Sequence, residues 1–267
     1  MIDTKPTTNS HGPATLPIPG EEIAVNARRQ PAPVGKSANT YRGTAVLVGA
    51  LFLIATATFI VSNVLITPLL ASHNVLAAVA GSSQRMIAAT LIALVEGVAT
   101  VGIALALYPI LKRQHPALAL GFAGMRIAEV AIAAVGFGLG GLLLVTLSGT
   151  AANGANSELG TVLIALRHWT IMLVYVYTAV GGVMLSYMLL RTRLVPRGFS
   201  VLGLIGYPVL LLAAALDMFG VVDTVNGAGL VGLVPGGLFE LLLPIWLIAK
   251  GFNLAALDRM RITRVGA

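Results

Sequence analysis

From about Thr44 to Ala249 the chain is a succession of six apolar runs, each near or above twenty residues and separated by short polar or basic turns. That length is what an α-helix rising about 1.5 Å per residue needs to cross a hydrocarbon core about 30 Å thick. A soluble domain of 267 residues could not hide so many such helices. Only 10% of the residues are charged, where an ordinary soluble domain carries about 25%. The expected fold is all-α: a polytopic integral membrane protein built as a bundle of six transmembrane helices.

The spans are expected over about Thr44–Ile66, Met86–Tyr108, Ala117–Leu147, Leu166–Leu190, Phe199–Gly220 and Leu230–Ala249. Thr67-Pro68 and Pro109 mark the ends of the first two, since proline lacks the N–H that continues the ladder. Ser82 or Ser83 is placed to cap the second span. The third is longer than a perpendicular crossing needs, so a tilt or an end beyond the membrane is expected. Ser148–Gly160, with its Gly, Asn and Ser residues, reads as a loop. Residues 1–40 are rich in Pro, Thr, Ser and Asn without apolar periodicity, and are expected to form a disordered cytoplasmic tail. A cleavable signal peptide is not expected, because the first apolar run starts too far in and is too long. The transmembrane domain is expected over 41–252 and a cytoplasmic C-terminal tail over 253–267.

Basic residues are distributed unevenly about these spans. With six crossings, both termini and the turns after the second and fourth spans share one side. That side carries Lys5, Arg28, Arg29, Lys36, Arg42, Lys112, Arg113, Arg191, Arg193, Arg197, Lys250, Arg259, Arg261 and Arg264, and the opposite side only Arg85 and Arg167. By the positive-inside rule both termini are cytoplasmic. Basic residues that flank apolar spans do not form the single patch that nucleic acid requires, so no nucleic-acid partner is expected. The chain has no cysteine, which excludes disulfides, thiolate metal sites and thiol nucleophiles.

Several local patterns carry a resemblance. Tyr41-Arg42-Gly43 leads the first span, and Glu96-Gly97 lies in the second, which ends on Tyr108-Pro109-Ile110-Leu111-Lys112. Gly124-Met125-Arg126-Ile127-Ala128-Glu129, Arg197-Gly198-Phe199-Ser200 and Gly237-Leu238-Phe239-Glu240 follow. In these patterns, over roughly residues 41–252, the chain resembles the bacterial membrane proteins of domain of unknown function family 4386. The resemblance implies a multi-pass protein of a bacterial cytoplasmic (inner) membrane. It implies no particular chemistry, so a function has to come from the residues themselves.

The residues that carry most information are the charges inside the spans. Arg126 and Glu129 are three apart and share a helix face. By helix rise, Glu96, Glu129 and Glu240 each lie about 15–16 Å from the start of their spans, near mid-membrane. Charge at that depth is costly unless it is paired or hydrated. On the third span Arg126, Glu129, Ala133, Gly136 and Gly140 fall on one face, where Gly136-x-x-x-Gly140 admits a close helix neighbour. The fourth span gives a more polar face with His168, Tyr175, Thr178, Gly182 and Ser186. One interior seam lined by Glu96, Arg126, Glu129, Tyr175 and Glu240 is expected.

Three readings follow. Three carboxylates against one guanidinium leave excess acid at mid-depth, which suits a small-solute or ion carrier, or a proton-linked sensor. The alternative is a structural or assembly protein whose ionic network only fixes helix packing. An intramembrane enzyme is the third, but no His-Glu-x-x-His, no Gly-x-Ser-x-Gly and no phosphate-binding loop is present, so no catalytic residue is assigned. His168 and Asp217 are weaker site candidates, the first read as an interfacial anchor beside Trp169 and the second as reaching the interface. Tyr207-Pro208 reads as a packing kink. His11, His73 and His115 lie in tails or loops, so neither a metal set nor a cofactor is called for. The partners expected are the lipid bilayer and a small molecule or ion; the sequence leaves the oligomeric state open.

Overall fold

The computed structural model describes residues 34–150, 154–225 and 227–262. The chain falls into two units, Met1–Asn39 and Thr40–Ala267. The disorder expected for the N-terminal tail lies, up to residue 33, outside the described residues, as does the end of the C-terminal tail beyond residue 262. The second unit carries everything discussed below.

The helices are α1 (Val34–Leu70), α2 (Val75–Ala80), α3 (Ser83–Leu111), α4 (Pro116–Ala133), α5 (Gly140–Gly149), α6 (Gly154–Thr192), α7 (Arg197–Met218), α8 (Val234–Ala249) and α9 (Leu254–Ile262). A π-helical segment, Ala134–Leu139, joins α4 to α5, and a 3₁₀ turn, Ala228–Leu233, leads into α8. Among the described residues there is no strand. Among the described residues six stretches are long and apolar enough to cross a membrane: Thr40–Leu70, Ser83–Leu111, Pro116–Gly149, Glu158–Thr192, Arg197–Met218 and Ala228–Ala249. The expected six-helix architecture is thus the one observed, and the chain is a multi-pass membrane protein. Its outward faces agree, since Val64, Leu91, Val98, Leu105, Leu120 and Leu212 all stand exposed on helix surfaces. Apolar faces of this extent suit lipid, where helices must satisfy their backbone bonds internally.

The element boundaries differ from the sequence reading where tertiary contacts outweigh local signals. Pro68 and Pro109 lie inside their helices, which run on to Leu70 and Leu111. A proline in the last turn forfeits one bond without stopping the helix. The α2 helix, within what reads as a short loop, starts where the Asn74 side chain accepts a hydrogen bond from the Ala77 N–H at 3.0 Å. The α6 helix begins at Gly154, inside the expected Ser148–Gly160 loop. Leu163 packs against the small cluster of Ile66, Val79 and Leu144, and Gly160 sits against Leu76. Those contacts hold helical turns that composition alone would leave as loop.

Packing in the bundle centres on α6, which lies against α4 and α7; α7 carries α8, and α3 packs on α4. Lipid is as apolar as the helices, so close approach at small residues, not exclusion from water, sets these crossings. A Cβ on Gly136 would collide with Thr170 of α6, and one on Gly182 with the Tyr207 ring of α7. At the α7–α8 crossing a Cβ on Gly206 would stand 2.6 Å from the Gly236 nitrogen. The α1 helix closes the bundle through Gly49, whose Cβ would lie 2.9 Å from the Pro244 carbonyl oxygen. The Tyr41-Arg42 pair secures that closure. Arg42 donates to the carbonyls of Leu247, Ile248 and Ala249 at 3.3, 2.7 and 3.4 Å, adding a side-chain cap to the end of α8, where the Leu247 carbonyl also accepts from the Gly251 N–H at 3.0 Å. Arg113 donates to the Tyr41 hydroxyl at 2.6 Å.

Candidate functional site

The α4 helix supplies the centre. Arg126 and Glu129, one turn apart, are both buried, and Arg126 Nη1 donates to both Glu129 oxygens, at 3.2 and 3.0 Å. Helix spacing alone brings this pair together. The second link is tertiary. Glu240 on α8 lies with Oε1 3.7 Å from Arg126 Nη2, within ion-pair range but too long for a hydrogen bond. The same oxygen accepts from the buried Tyr207 hydroxyl on α7 at 3.1 Å. Arg126 Nε and Nη2 have no hydrogen-bond partner among the described residues. The guanidinium also stands over the Phe122 ring, 5.8 Å from its centroid.

These groups open onto a cavity of ≈ 270 Å³ within the bundle. Glu96 of α3, Arg126 and Glu129 of α4, Tyr175 of α6 and Glu240 of α8 all line it. The five residues of the expected seam therefore meet at one place. Thr100, Thr178 and Tyr207 add polar groups, and Phe52 and Phe59 of α1 form an apolar wall. Glu96 differs from the other acids. It lies within the electrostatic reach of Glu129, Glu240 and Arg126, yet no hydrogen bond or ion pair engages it among the described residues. The site thus holds one guanidinium, two carboxylates that share it and a third carboxylate facing the cavity without a partner.

The small-residue face of the third span is set by the π-helical segment, which lies one turn past Glu129. The wider π turn shifts the angular register of every residue beyond it. Gly136 packs on Thr170 and a Cβ on Gly140 would lie 3.8 Å from Leu166, both on α6, while Gly141 faces Thr90 of α3. Gly136, in the π-helical segment, and Gly140, at the start of α5, thus face α6, and neither lines the cavity.

The two weaker candidates lie elsewhere. His168 Nε2 is 3.3 Å from Asp217 Oδ1, and neither residue lines the cavity. His168 also meets Trp169 edge-on at 5.6 Å. Asp217 does not reach outward as expected; it is buried, because its Oδ2 accepts from the Thr224 N–H and hydroxyl, both at 2.6 Å, and so ties down the chain beyond α7. Arg167, assigned from sequence to the exterior side, is buried too. It donates to Asn63 of α1 at 3.2 Å and lies 4.7 Å from the Phe137 ring centroid in the π-helical segment.

Sequence reasoning missed the site role of Tyr207 and the contribution of α1. A tyrosine inside an apolar span was the available signal for the first, since its hydroxyl needs a partner there. The α1 side chains on the cavity wall carry no polar signal, apart from Thr56. Among the described residues no three His, Asp or Glu side chains converge as a metal site.

The family model described as Domain of unknown function (DUF4386) matches residues 47–251. No curated protein and no solved structure matches the chain.

Proposed function

This chain belongs to the DUF4386 family, and we propose that it is a carrier or sensor for a proton or a small cation, acting through the seam of Glu96, Arg126, Glu129 and Glu240. The observation that supports this is the unpartnered Glu96 carboxylate on the wall of a mid-span cavity whose other two acids already share one guanidinium. A network that served packing alone would have no use for a third acid at that depth, where charge is expensive. Glu240 is the movable member. It bonds to Tyr207 and stands just beyond hydrogen-bond range of Arg126, so gain or loss of a cation at the cavity can shift it between the two. Tyr175 and Thr178 contribute polar wall. The structural reading is supported for the Arg126–Glu129 pair, which fixes α4 and needs no ligand to explain it.

The test is direct. Purified protein in liposomes is expected to show a melting temperature that depends on pH and on small monovalent organic or inorganic cations. Glu96→Gln is expected to remove that dependence while leaving the fold intact, since Glu96 holds nothing else. A wild-type protein indifferent to both, or a Glu96→Gln variant that responds as the wild type does, sinks the proposal.

We also place the protein in a bacterial cytoplasmic membrane with both termini inside, from the concentration of Arg and Lys on one set of connections. The bundle of 41–252 is then flanked by two cytoplasmic tails. Reporter fusions at residue 267 and in the turn at Gln114 are expected to be active only as cytoplasmic reporters; an exported-reporter signal at either point reverses the orientation.

A further inference from the structure

At the end of the bundle where α3 and α6 finish, four arginines from three separate parts of the chain surround a concavity of ≈ 430 Å³. Arg113 comes from the turn after α3, Arg191 and Arg193 from the end of α6, and Arg259 from α9. Gln114 and Thr192 complete the polar wall, and no acidic side chain lines it among the described residues. A second concavity of ≈ 470 Å³ shares Arg193 and adds Arg197, Trp246, Lys250 and Asn253. The positive-inside rule asks only that basic residues lie near span ends. It does not ask them to converge.

Two features show that the convergence is built in. The α9 helix is anchored: Ala256 and Leu257 are buried in the main core, and the Asn253 N–H donates to the Leu194 carbonyl at 2.9 Å. Arg259 is therefore carried on a packed helix and not on a loose tail. Arg193 has φ 54, the one positive value outside glycine among the described residues. It closes α6 in the left-handed conformation that glycine accepts freely and that costs other residues energy. An arginine in that conformation, on the wall of both concavities, points to a use for its side chain.

We propose that this paired basic bay binds the phosphodiester headgroup of an anionic phospholipid. Guanidinium groups match phosphate oxygens in geometry and charge. Exposed arginines beside Trp246 and Lys250 stand where headgroups and interfacial aromatic residues meet at a bilayer surface, and basic pockets between spans hold such headgroups. The arginine side chains are not uniformly free: Arg113 is engaged by Tyr41 and Arg259 Nε donates to the Ala255 carbonyl. Arg193 and Arg191 are the leading contacts.

The experiment compares the full chain in phosphatidylcholine nanodiscs with and without a minority of phosphatidylglycerol. Wild-type protein is expected to melt higher with phosphatidylglycerol. In a Trp169→Phe background, Trp246 fluorescence is expected to be quenched more by brominated phosphatidylglycerol than by brominated phosphatidylcholine. Arg193→Gly removes the guanidinium and relieves the backbone, so this variant is expected to match or exceed wild-type stability in pure phosphatidylcholine. Its phosphatidylglycerol affinity is expected to fall about fivefold, the effect of one basic residue near an anionic surface. Equal responses to the two lipids, or a full phosphatidylglycerol response in Arg193→Gly, overturns the assignment. A response reproduced in full by inorganic phosphate in phosphatidylcholine discs overturns the lipid source and assigns the bay to a soluble phosphate.

Discussion

Arg126→Leu is expected to cost the folded protein about 3–5 kcal/mol, the loss typical of removing one partner from a buried ion pair. Among the described residues Arg126 is the single positive charge that lines the cavity. Its Nη1 holds both oxygens of Glu129, and its Nη2 faces Glu240. Leucine fills much of the space but leaves two mid-span carboxylates without a counter-charge. Thermal unfolding in mild detergent measures the loss directly. The double variant Arg126→Leu with Glu129→Gln is expected to recover part of it, because one of the stranded acids is then neutral. The recovery is the informative number, since it isolates the pair from general damage. An Arg126→Leu protein that melts with the wild type would mean that the guanidinium does not neutralise this site.

The second large effect belongs to Gly206. Its substituted Cβ would stand 2.6 Å from the Gly236 nitrogen and 2.7 Å from the Pro235 carbonyl carbon. Both are main-chain atoms of α8, so no rotamer change can make room and the two helices must part. Gly206→Ala is expected to destabilise by about 3 kcal/mol, the upper end of overpacking costs. Gly237, one residue further along α8 than Gly236, has nothing within 4 Å of its would-be Cβ. Gly237→Ala is therefore expected to be neutral or stabilising by up to about 1 kcal/mol, from helix propensity. Opposite signs for the same chemical change can arise only from the crossing geometry, so two equal melting temperatures would contradict it. The consequence reaches the site as well, because Tyr207 follows Gly206 and bonds Glu240 across this same contact.

The two variants also separate what was legible in the residue order from what was not. Arg126 and Glu129 could be paired on spacing alone, because residues three apart on a helix share a face whatever surrounds them. The Tyr207–Glu240 bond joins two helices thirty-three positions apart, and its existence depends on the close approach at Gly206. Of the Gly136–Gly140 pair, Gly136 makes the close helix contact that the spacing suggests, and Gly140 only an ordinary one. Its partner was not visible, because the π-helical segment alters the angular register beyond Ala133. Asp217 and Arg167 look peripheral by position, yet both are buried because loop and helix partners fold over them.

The amino-acid order by itself determined the six spans, their all-helical form, the family resemblance and the five residues that line one seam. These are properties of run length and helical period, which a chain in a bilayer must obey locally to satisfy its backbone and bury its charge. Only the tertiary structure decided which charge takes which partner. It paired Arg126 with two acids, left Glu96 facing the cavity, gave Tyr207 to Glu240 and gathered four arginines at one end. The reason is that partner choice depends on the rotation and crossing of helices, and these are set by contacts between distant small residues that no local pattern records.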